Sequence, residues 1–509
     1  MNKARFLSID CGTQSLRAFI FDAKGELLAR SQIHFEPPYQ SPKQGYAEQN
    51  ANYYWQQLVV ACQNLWLQGI DPNSVTAASV TTQRGTTVIV DEHGEPLYPA
   101  VLWLDERQSE KLPDLPLYWQ KLHQVSGHQQ TILKLRKRAP ANWFISHRPE
   151  LWQKTNKFLL LSGFLNFKLT GEYQDAIPSQ VGYIPFDYKK HQWHSRWDWR
   201  WQALGLTAEK LPKLVPAGKL IGQLTVAAAQ SLGLPAGLAI VAAGADKACE
   251  VLGAGCVSAS QAALSFGTTA TYNTVTSRYL SLNPPMPPYP AVLAKHYCLE
   301  TQIPQGFALV KYFKEQIAAN EIAEAEQGRD WLAVLEDWLN NTPAGANGLM
   351  WQPSLSVQAS GESVSKGALL GLSTQHSKAD WYRALVEGLL FALKQGQEHV
   401  EQHSKQKISQ LFAAGGGSQS HAVMQIAADI FNMPISKPHT SETSGLGAAM
   451  CAAVAMGIYP DLKSAVRAMS RTDKVFYPNS LNARFYQQCY QQVYKPWVHS
   501  LTQLYTNSH

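Results

Sequence analysis

Asp246 is the residue whose setting in this chain most directly indicates chemistry. It follows the apolar run Leu238–Ala245, which reads as a buried strand, and a helical segment containing Glu250 comes after it. Ligands of α/β sheets bind at the carboxyl ends of strands, so a carboxylate here can serve as a base. The alternative is that Asp246 caps the N-terminus of the following helix, a position where Asp is common.

Two glycine-threonine turns lie between predicted strands, about half the chain apart. The first turn follows the strand that ends at Asp10 and offers a phosphate the groups of Gly12, Thr13, Ser15 and Arg17. The second follows the strand Ala262–Phe266 and contains Gly267 and Thr268. A single turn of this kind also fits an ordinary hairpin. The repetition indicates an ancient duplication, with two phosphate loops that face each other across a cleft.

A third candidate loop is the triple glycine Gly415–Gly417. It follows the predicted strand Leu411–Ala414 and precedes the predicted helix His421–Phe431. Glycines allow the backbone to come close to a flat or anionic ligand at a helix N-terminus. The spacing differs from the dinucleotide-binding fingerprint, so no nicotinamide cofactor is indicated.

Arg84 and Trp103, with Asp105 and Arg107 nearby, combine an aromatic ring with charges as sugar-binding sites do. The alternative is a set of surface salt bridges with a core tryptophan. The tryptophan-rich stretch 193–201 is expected to pack beneath a polar loop rather than to stack on a sugar.

The composition sets the remaining bounds. A chain of 509 residues with 45% hydrophobic and 16% charged residues is folded and long enough for two domains. The net charge of +6 is spread along the chain, and the basic run Lys134–Arg138 is expected to be a solvated segment, so no nucleic-acid partner is predicted. Seven scattered cysteines indicate a reducing compartment. With no signal-peptide pattern and no membrane-spanning run, a cytoplasmic location is predicted.

The elements that must position these residues can be read along the chain. Amphipathic patterns predict helices at Asn52–Leu67, Leu151–Leu169 and Trp381–Glu401, with a loop containing Gly361 before the last of these. The small residues after Ser444 predict a helix that packs tightly against a neighbour. The aromatic segment 481–504 is predicted to be helical and to dock on the second domain.

Five motifs, in order along nearly the whole chain, resemble those of the FGGY carbohydrate kinases. They are Asp10-x-Gly12-Thr13-x-Ser15-x-Arg17, Gly244-x-Asp246, Gly267-Thr268-Thr269, Gly415-Gly416-Gly417-Ser418 and Glu442-x-x-Gly445-Leu446-Gly447-Ala448-Ala449. The resemblance implies an α/β fold of two actin-like (ribonuclease H-like) ATPase domains, each a mixed sheet flanked by helices, with an interdomain cleft for ATP and sugar. Residues 1–254 would form the N-terminal domain, with the sugar site and the first phosphate loop. Residues 255–509 would form the C-terminal domain, with the second phosphate loop and the adenine-binding loop.

The resemblance also implies a role for each site residue. Asp246 resembles the base that takes the proton from the sugar hydroxyl, and Asp10 the carboxylate that holds the Mg²⁺ of Mg-ATP. The nucleotide-binding positions would be Gly12, Thr13, Ser15, Arg17, Gly267, Thr268, Gly416, Gly417 and His421. Arg84, Trp103 and Asp246 would contact the sugar. A homodimer is an expectation from the family alone.

The residue after Arg84 bears on specificity. This chain has Gln83-Arg84-Gly85, where glycerol kinases have Gln-Arg-Glu and xylulokinases have Met-His-Gly. The chain is therefore expected to phosphorylate a hydroxyl of a ketose or alditol with ATP, at a specificity between the two groups. The alternatives are a glycerol kinase and an actin-like ATP-binding switch without sugar kinase activity.

Overall fold

A computed structural model describes residues 4–125, 129–284, 286–326, 328, 330–353 and 367–507. The predicted loop containing Gly361 lies outside these residues. The chain divides into two compact units. The first contains Met1–Gly253, Tyr289–His296 and Ser444–Ser470, and the second contains Ala254–Pro288, Tyr297–Thr443 and Arg471–His509. The domain ranges 1–254 and 255–509 stay a prediction.

The strands of the described residues are, in chain order, β1 Arg5–Cys11, β2 Ser15–Asp22, β3 Leu27–His34, β4 Glu48–Gln49, β5 Val75–Thr82, β6 Thr87–Val90, β7 Ala100–Val101, β8 Lys157–Leu160, β9 Gln174–Ala176, β10 Phe186–Asp187, β11 Gln192–Trp193, β12 Lys213–Val215, β13 Leu220–Gln223, β14 Ala239–Ala245, β15 Gln261–Phe266, β16 Ala270–Thr276, β17 Tyr289–Pro290, β18 Tyr297–Ile303, β19 Met350–Gln352, β20 Ala368–Leu370, β21 Gln410–Ala414, β22 Ile435–Pro438 and β23 Thr472–Phe476.

The α-helices of the described residues are α1 Ala51–Trp66, α2 Leu117–Val125, α3 Gln129–Arg138, α4 Pro140–His147, α5 Pro149–Lys154, α6 Leu161–Thr170, α7 Trp199–Ala203, α8 Val226–Leu232, α9 Asp246–Gly253, α10 Ala308–Tyr312, α11 Ala319–Glu326, α12 Trp331–Asn341, α13 Lys378–Ser404, α14 His421–Phe431, α15 Thr443–Ala455, α16 Leu462–Met469, α17 Ser480–Cys489 and α18 Lys495–Asn507.

The first unit is built on a mixed sheet with strand order β13-β14-β5-β1-β2-β3. The strands β14, β5 and β1 are mutually parallel, while β13, β2 and β3 run antiparallel to their neighbours. Helices α1, α6 and α8 bury apolar side chains against it, and these form one continuous core that includes the fully buried Leu58, Phe164 and Leu232.

The second unit repeats this arrangement of strands. Six strands of this unit lie in one sheet in the order β23-β22-β21-β15-β16-β18, in which β22, β21 and β15 are parallel and the other neighbours antiparallel. Strand for strand, the pairing matches that of β13-β14-β5-β1-β2-β3. The α/β fold class with a mixed, helix-flanked sheet in each half is therefore confirmed, and the matched pairing supports the predicted duplication.

The helix predicted over Leu151–Leu169 is wrong. That stretch begins in α5, continues as the buried strand β8 and ends in α6. The strand forms because β8 pairs along its length with β6, from Thr87 opposite Leu160 to Val90 opposite Lys157. Tertiary pairing here outweighs the helical spacing of the apolar residues. Gly171 ends α6 with φ 74°, as the glycine after a helix commonly does.

Two other predicted helices are confirmed as tight-packing elements within their units. A Cβ at Gly447 of α15 would lie 2.0 Å from the carbonyl oxygen of Cys249, so only glycine permits this approach. Residues from α17, α18 and the turn between them, among them Tyr486 and Tyr490, are buried in the core of the second unit. In the stretch 193–201, Trp201 is buried as expected, whereas Trp197 is 89% exposed.

Candidate active site

Three candidate functional residues of the first unit lie at one edge of its sheet. Asp10 is on β1, Gln83 directly follows β5, and Asp246 directly follows β14. Because these three strands are adjacent and parallel, with Cys11 and Ala245 both opposite Thr82, their carboxyl ends are level. Ligands of α/β sheets bind at this edge. The strand order therefore brings together side chains that are more than 230 positions apart in sequence (246 − 10).

Asp10 and Arg17 form an ion pair across the β1–β2 hairpin. They are directly opposite each other in the strand register, and Arg17 Nη2 donates to Asp10 Oδ2 at 2.7 Å. The carboxylate is 1% exposed, whereas about a third of the Arg17 side chain reaches solvent. A buried carboxylate needs such a partner, because transfer of an unpaired charge from water is costly. The guanidinium thus fixes the carboxylate and adds positive charge beside the turn.

The turn between these strands is tied to two other loops through the Thr13 hydroxyl. This hydroxyl donates to Gln83 Oε1 at 2.7 Å and accepts from the indole N–H of Trp103 at 2.9 Å. The turn itself is closed by the N–H of Gly12, which donates to the carbonyl of Ser15 at 3.0 Å. Trp103 is 51% exposed, so its ring offers an apolar face to a ligand. A core position for this tryptophan, the alternative considered from sequence, is wrong.

Asp246 is partly exposed at the start of α9. Loss of contact with water raises the pKa of its carboxyl, while the positive charges of Arg84 and Lys247 oppose that rise. Its Oδ1 accepts from the N–H of Lys247 at 2.7 Å, the adjacent residue. A helix N-cap accepts from an amide two or three positions further on, so this contact differs from capping. The raised pKa makes the carboxylate a better proton acceptor than an ordinary aspartate.

Arg84 is held by an aromatic ring in the same unit. Its guanidinium carbon lies 4.7 Å from the centre of the Tyr289 ring, within the range of a cation–π contact. The following residue, Gly85, has φ 74°, the left-handed region that favours glycine. A Cβ at Gly85 would lie 3.4 Å from the Cβ of Trp103, which is ordinary contact distance. The backbone conformation, more than space, therefore selects glycine there.

Asp105 and Arg107 have a structural role. Arg107 is 6% exposed and donates to both Asp105 oxygens at 2.7 Å and to Glu48 Oε1 at 2.6 Å. Its guanidinium also lies 4.1 Å from the Tyr46 ring centre. The network is buried rather than on the surface, which corrects the salt bridges considered from sequence. It holds the loop that presents Trp103, since Asp105 Oδ2 accepts from the N–H of Ala47 at 2.7 Å.

In the second unit, the two predicted nucleotide loops are neighbours. Strands β15 and β21 are parallel, with Ser265 opposite Ala414, so the loops that follow them meet. A Cβ at Gly415 would lie 3.1 Å from the nitrogen of Gly267, and one at Gly417 would lie 2.9 Å from the Phe266 Cβ. At Gly416 a Cβ would meet nothing within 4 Å. Thr268 is exposed at the tip of its turn, where its hydroxyl can reach a ligand.

The N-terminus of α14 already carries an anion. The Glu336 carboxylate of α12 accepts from the N–H of Ala422 at 2.7 Å and from the hydroxyl of Ser420. Ser420 in turn accepts from the N–H of Val423. Because a carboxylate already occupies the Ala422 amide, this helix end favours a flat ligand over the anionic one that the sequence also allowed. His421 is exposed, and its ring lies 5.6 Å from that of Phe476.

The chemistry of the Asp10 side chain fits the Mg²⁺ that the resemblance implies. Mg²⁺ prefers oxygen ligands and is commonly held by one or two carboxylates together with waters and substrate phosphates. Asp10 offers a single buried carboxylate beside a turn whose residues Gly12, Thr13 and Ser15 are partly exposed. Such a donor set suits an ion that arrives with a nucleotide.

Sequence reasoning missed two residues that hold the candidate loops. Tyr289, which orients Arg84, lies in the proline-rich stretch 284–290, where the sequence carries no motif. Glu336 lies in α12, where the sequence carries no motif either. No local signal in the sequence relates either residue to its partner, because each pair is more than 80 residues apart.

Comparison with known proteins defines the class to which this fold and these loops belong. The sequence model of the N-terminal domain of the FGGY family of carbohydrate kinases matches residues 5–253, and that of the C-terminal domain matches residues 262–456. The chain therefore belongs to the FGGY family of carbohydrate kinases. Within the described residues, no helix combines the length and apolarity needed to cross a membrane.

Particular relatives agree with this family. A xylulose kinase of Staphylococcus epidermidis is 28% identical over 515 aligned positions, covering 97% of both chains. An autoinducer-2 kinase of Klebsiella pneumoniae is 29% identical, covering 95% of this chain and 91% of the relative. Among solved structures, xylulose kinase from Lactobacillus acidophilus matches with a TM-score of 0.82 at 21% identity, covering 99% and 100% of the two chains. The last comparison supports the fold.

Proposed function

We propose that this carbohydrate kinase transfers the γ-phosphoryl group of ATP to a hydroxyl of a ketose or polyol larger than glycerol, with Asp246 as the general base. The observation that carries the proposal is the level alignment of Asp10, Gln83 and Asp246 at the carboxyl ends of three parallel strands. Family membership gives the reaction class, an ATP-dependent phosphotransfer to an alcohol group. The assignment of residues within it is the proposal.

In this assignment Asp246 accepts the proton of the attacking hydroxyl. The O–H bond breaks as the new O–P bond forms, and ADP leaves with the electrons of the broken P–O bond. Phosphoryl transfer passes through a loose transition state, so orientation of the nucleophile matters more than a strong base. Arg84 and the exposed face of Trp103 would orient the sugar, because a guanidinium donates to hydroxyl groups and an aromatic face packs on carbon.

The nucleotide-binding residues are assigned to both units. In the first, Gly12, Thr13, Ser15 and Arg17 would contact the phosphates, and Asp10 would hold Mg²⁺. The ion, when bound, neutralises charge on the phosphates. In the second unit, Gly267 and Thr268 would contact phosphate, and Gly416, Gly417 and His421 the adenine side. Arg17 has a double function in this scheme, since it also fixes Asp10.

The substrate class rests on Gly85 and on the named relatives. Several relatives at 25–28% identity over nearly the whole chain are named xylulose kinase, which supports a ketose. Gly85 lacks the carboxylate that glycerol kinases have at this position, which argues against glycerol.

The test is ADP release by purified protein with ATP, Mg²⁺ and each of a panel of ketoses, alditols and glycerol. A sugar-dependent rate that is highest for a substrate of four to seven carbons is expected. A rate that no member of the panel increases would favour the actin-like switch, and a highest rate with glycerol would favour a glycerol kinase.

A further inference from the structure

Asp175 is a buried carboxylate that the proposed reaction does not use. It lies in β9, is fully enclosed, and accepts hydrogen bonds from four donors of the first unit. These are the Ser162 hydroxyl at 2.8 Å, the Gln180 amide at 2.8 Å, the Asn166 amide at 3.2 Å and the N–H of Ala176 at 2.8 Å. Burial raises the pKa of this carboxyl to about 6, although all four donors oppose the rise. A buried charge is costly unless it is hydrogen-bonded, and these four donors supply the hydrogen bonds.

One of the four donors, Gln180, lies beyond the turn that directly follows β9. Ser162 and Asn166 belong to α6, whereas Gln180 follows the 3₁₀ turn Ile177–Ser179. The Gln180 amide also donates to the carbonyl of Ala176 at 3.0 Å, and its backbone N–H donates to Ile177 at 3.1 Å. Gln180 is 1% exposed. Its side chain therefore links the two ends of the turn, and each end also donates to the Asp175 carboxylate, Ala176 through its own N–H.

This turn and the residues after it lie against the backbone of Gly244 and Gly85, which are close in sequence to Asp246 and Arg84. A Cβ at Gly244 would lie 2.9 Å from the Cβ of Pro178. A Cβ at Gly85 would lie 3.9 Å from the carbonyl oxygen of Val181, and one at Gly182 would lie 3.5 Å from the Gly85 Cα. Gly244 is two residues before Asp246, and Gly85 is one residue after Arg84. The segment 178–182 thus supports both strand ends from one side.

We propose that Asp175, acting through Gln180, is a positioning residue of the sugar site: it fixes the segment 177–182 against Gly85 and Gly244 and so sets the orientation of Arg84 and Asp246. The inference rests on the proposed function of those two residues. Because Asp175 is fully enclosed, its effect is transmitted by backbone contact. A shift of about 1 Å at reacting groups is enough to reduce rate substantially, so small movements of this segment matter.

Gln180→Met and Ser162→Ala form a matched pair of variants. Each removes one 2.8 Å donor from the same oxygen, Asp175 Oδ2, but only Gln180 leads to the segment beside the sugar site. Sugar-dependent ADP release would be measured with the best substrate of the panel, together with the KM for ATP and the melting temperature. Gln180→Met should lower kcat/KM for the sugar by about 10- to 100-fold, with KM for ATP within about twofold of wild type. Ser162→Ala should leave kcat/KM for the sugar and KM for ATP within about twofold of wild type. Its melting temperature should fall by about as much as that of Gln180→Met.

Equal effects of the two variants on kcat/KM for the sugar would overturn the proposal, because Asp175 would then act on stability alone. Equal loss of affinity for ATP and sugar in Gln180→Met would also overturn it. If Gln180→Met does not fold, Asp175→Asn replaces it, since the amide keeps the shape and still accepts from Ala176. A wild type without sugar-dependent turnover would contradict the proposed function, whereas an active wild type with indistinguishable variants contradicts only this inference.

Discussion

Replacement of Gly85 by glutamate is expected to shift substrate preference toward glycerol. The new carboxylate would begin beside Trp103, where the Cβ meets that residue at 3.4 Å, and would supply an acceptor for a substrate hydroxyl. A hydroxyl that lacks an acceptor in a buried site loses about 1–3 kcal/mol of binding. At 1.4 kcal/mol per factor of ten, this corresponds to an increase of about 5- to 150-fold in the ratio of kcat/KM for glycerol to kcat/KM for the longer substrate.

The backbone at Gly85 imposes a separate cost that must be measured in parallel. With φ 74°, any residue with a Cβ is strained there by about 1–2 kcal/mol. Gly85→Ala carries the same strain without the carboxylate and is therefore the matched control. Both variants should lose a similar amount of unfolding free energy, and only the glutamate should alter the substrate ratio.

The assay is coupled ADP release with glycerol and with four- to seven-carbon polyols and ketoses, for wild type, Gly85→Ala and Gly85→Glu. The reasoning is refuted if the wild type prefers glycerol, or if the alanine and glutamate variants give the same substrate ratio. In the second case the change in preference would come from the altered turn and not from the acceptor.

Three further predictions concern the reacting groups. Asp246→Asn should lower kcat by about 10²–10⁴-fold while ATP affinity stays near that of wild type, as measured by turnover and calorimetry; near-normal turnover would leave Asp246 with only a role at the start of its helix. Asp10→Asn and Arg17→Ala should each lower kcat and alter its dependence on Mg²⁺ concentration with sugar affinity preserved, and unchanged nucleotide and metal titrations in both would place the phosphate site elsewhere. Because burial raises the pKa of Asp246 and the charge of Arg84 lowers it, the acid limb of kcat/KM should lie above the usual range for aspartate, and activity should fall as pH falls through that raised pKa. Arg84→Met should move this limb to still higher pH. A limb that moves to lower pH or stays fixed would contradict the proposed effect of Arg84 on Asp246.

The parts of the site that follow strands could be predicted from the sequence because each strand end is local. Asp10 lies at the end of an apolar run, and Asp246 and the glycine loops follow such runs. The repeated glycine-threonine motif distinguishes the two turns that contain it from ordinary hairpins. The spatial order β14-β5-β1, which places Asp10 and Asp246 at the same end of one sheet, follows only from the structure.

Other features could not be predicted, because their causes are non-local. Strand β8 exists through pairing with β6, some 70 residues earlier (157 − 87 = 70), against a helical spacing of its own residues. The donors to Asp175 come from both sides of it in sequence, and nothing in Gln174-Asp175-Ala176 marks that carboxylate as enclosed. Arg107 belongs to a stretch that mixes charges with an aromatic ring, as binding sites do. Its partners Glu48 and Tyr46 are distant in sequence, and these contacts give Arg107 a structural role.

Helix α15 is synthesised long after most of the first unit, and this delay affects how that unit folds during synthesis. The Ser79 hydroxyl of β5 donates to the carbonyl of Ala448, and Gly447 fits against Cys249, so part of that unit's core is supplied from near the end of the chain. The ribosome makes residues 254–470 after Gly253, and 470 − 253 = 217 residues take roughly 10–40 s at ordinary elongation rates. During that interval the nascent first unit must keep an apolar face uncovered. We therefore expect ribosome-bound chains that end between residues 253 and 443 to bind chaperones, and a fragment that stops at Gly253 to be poorly soluble.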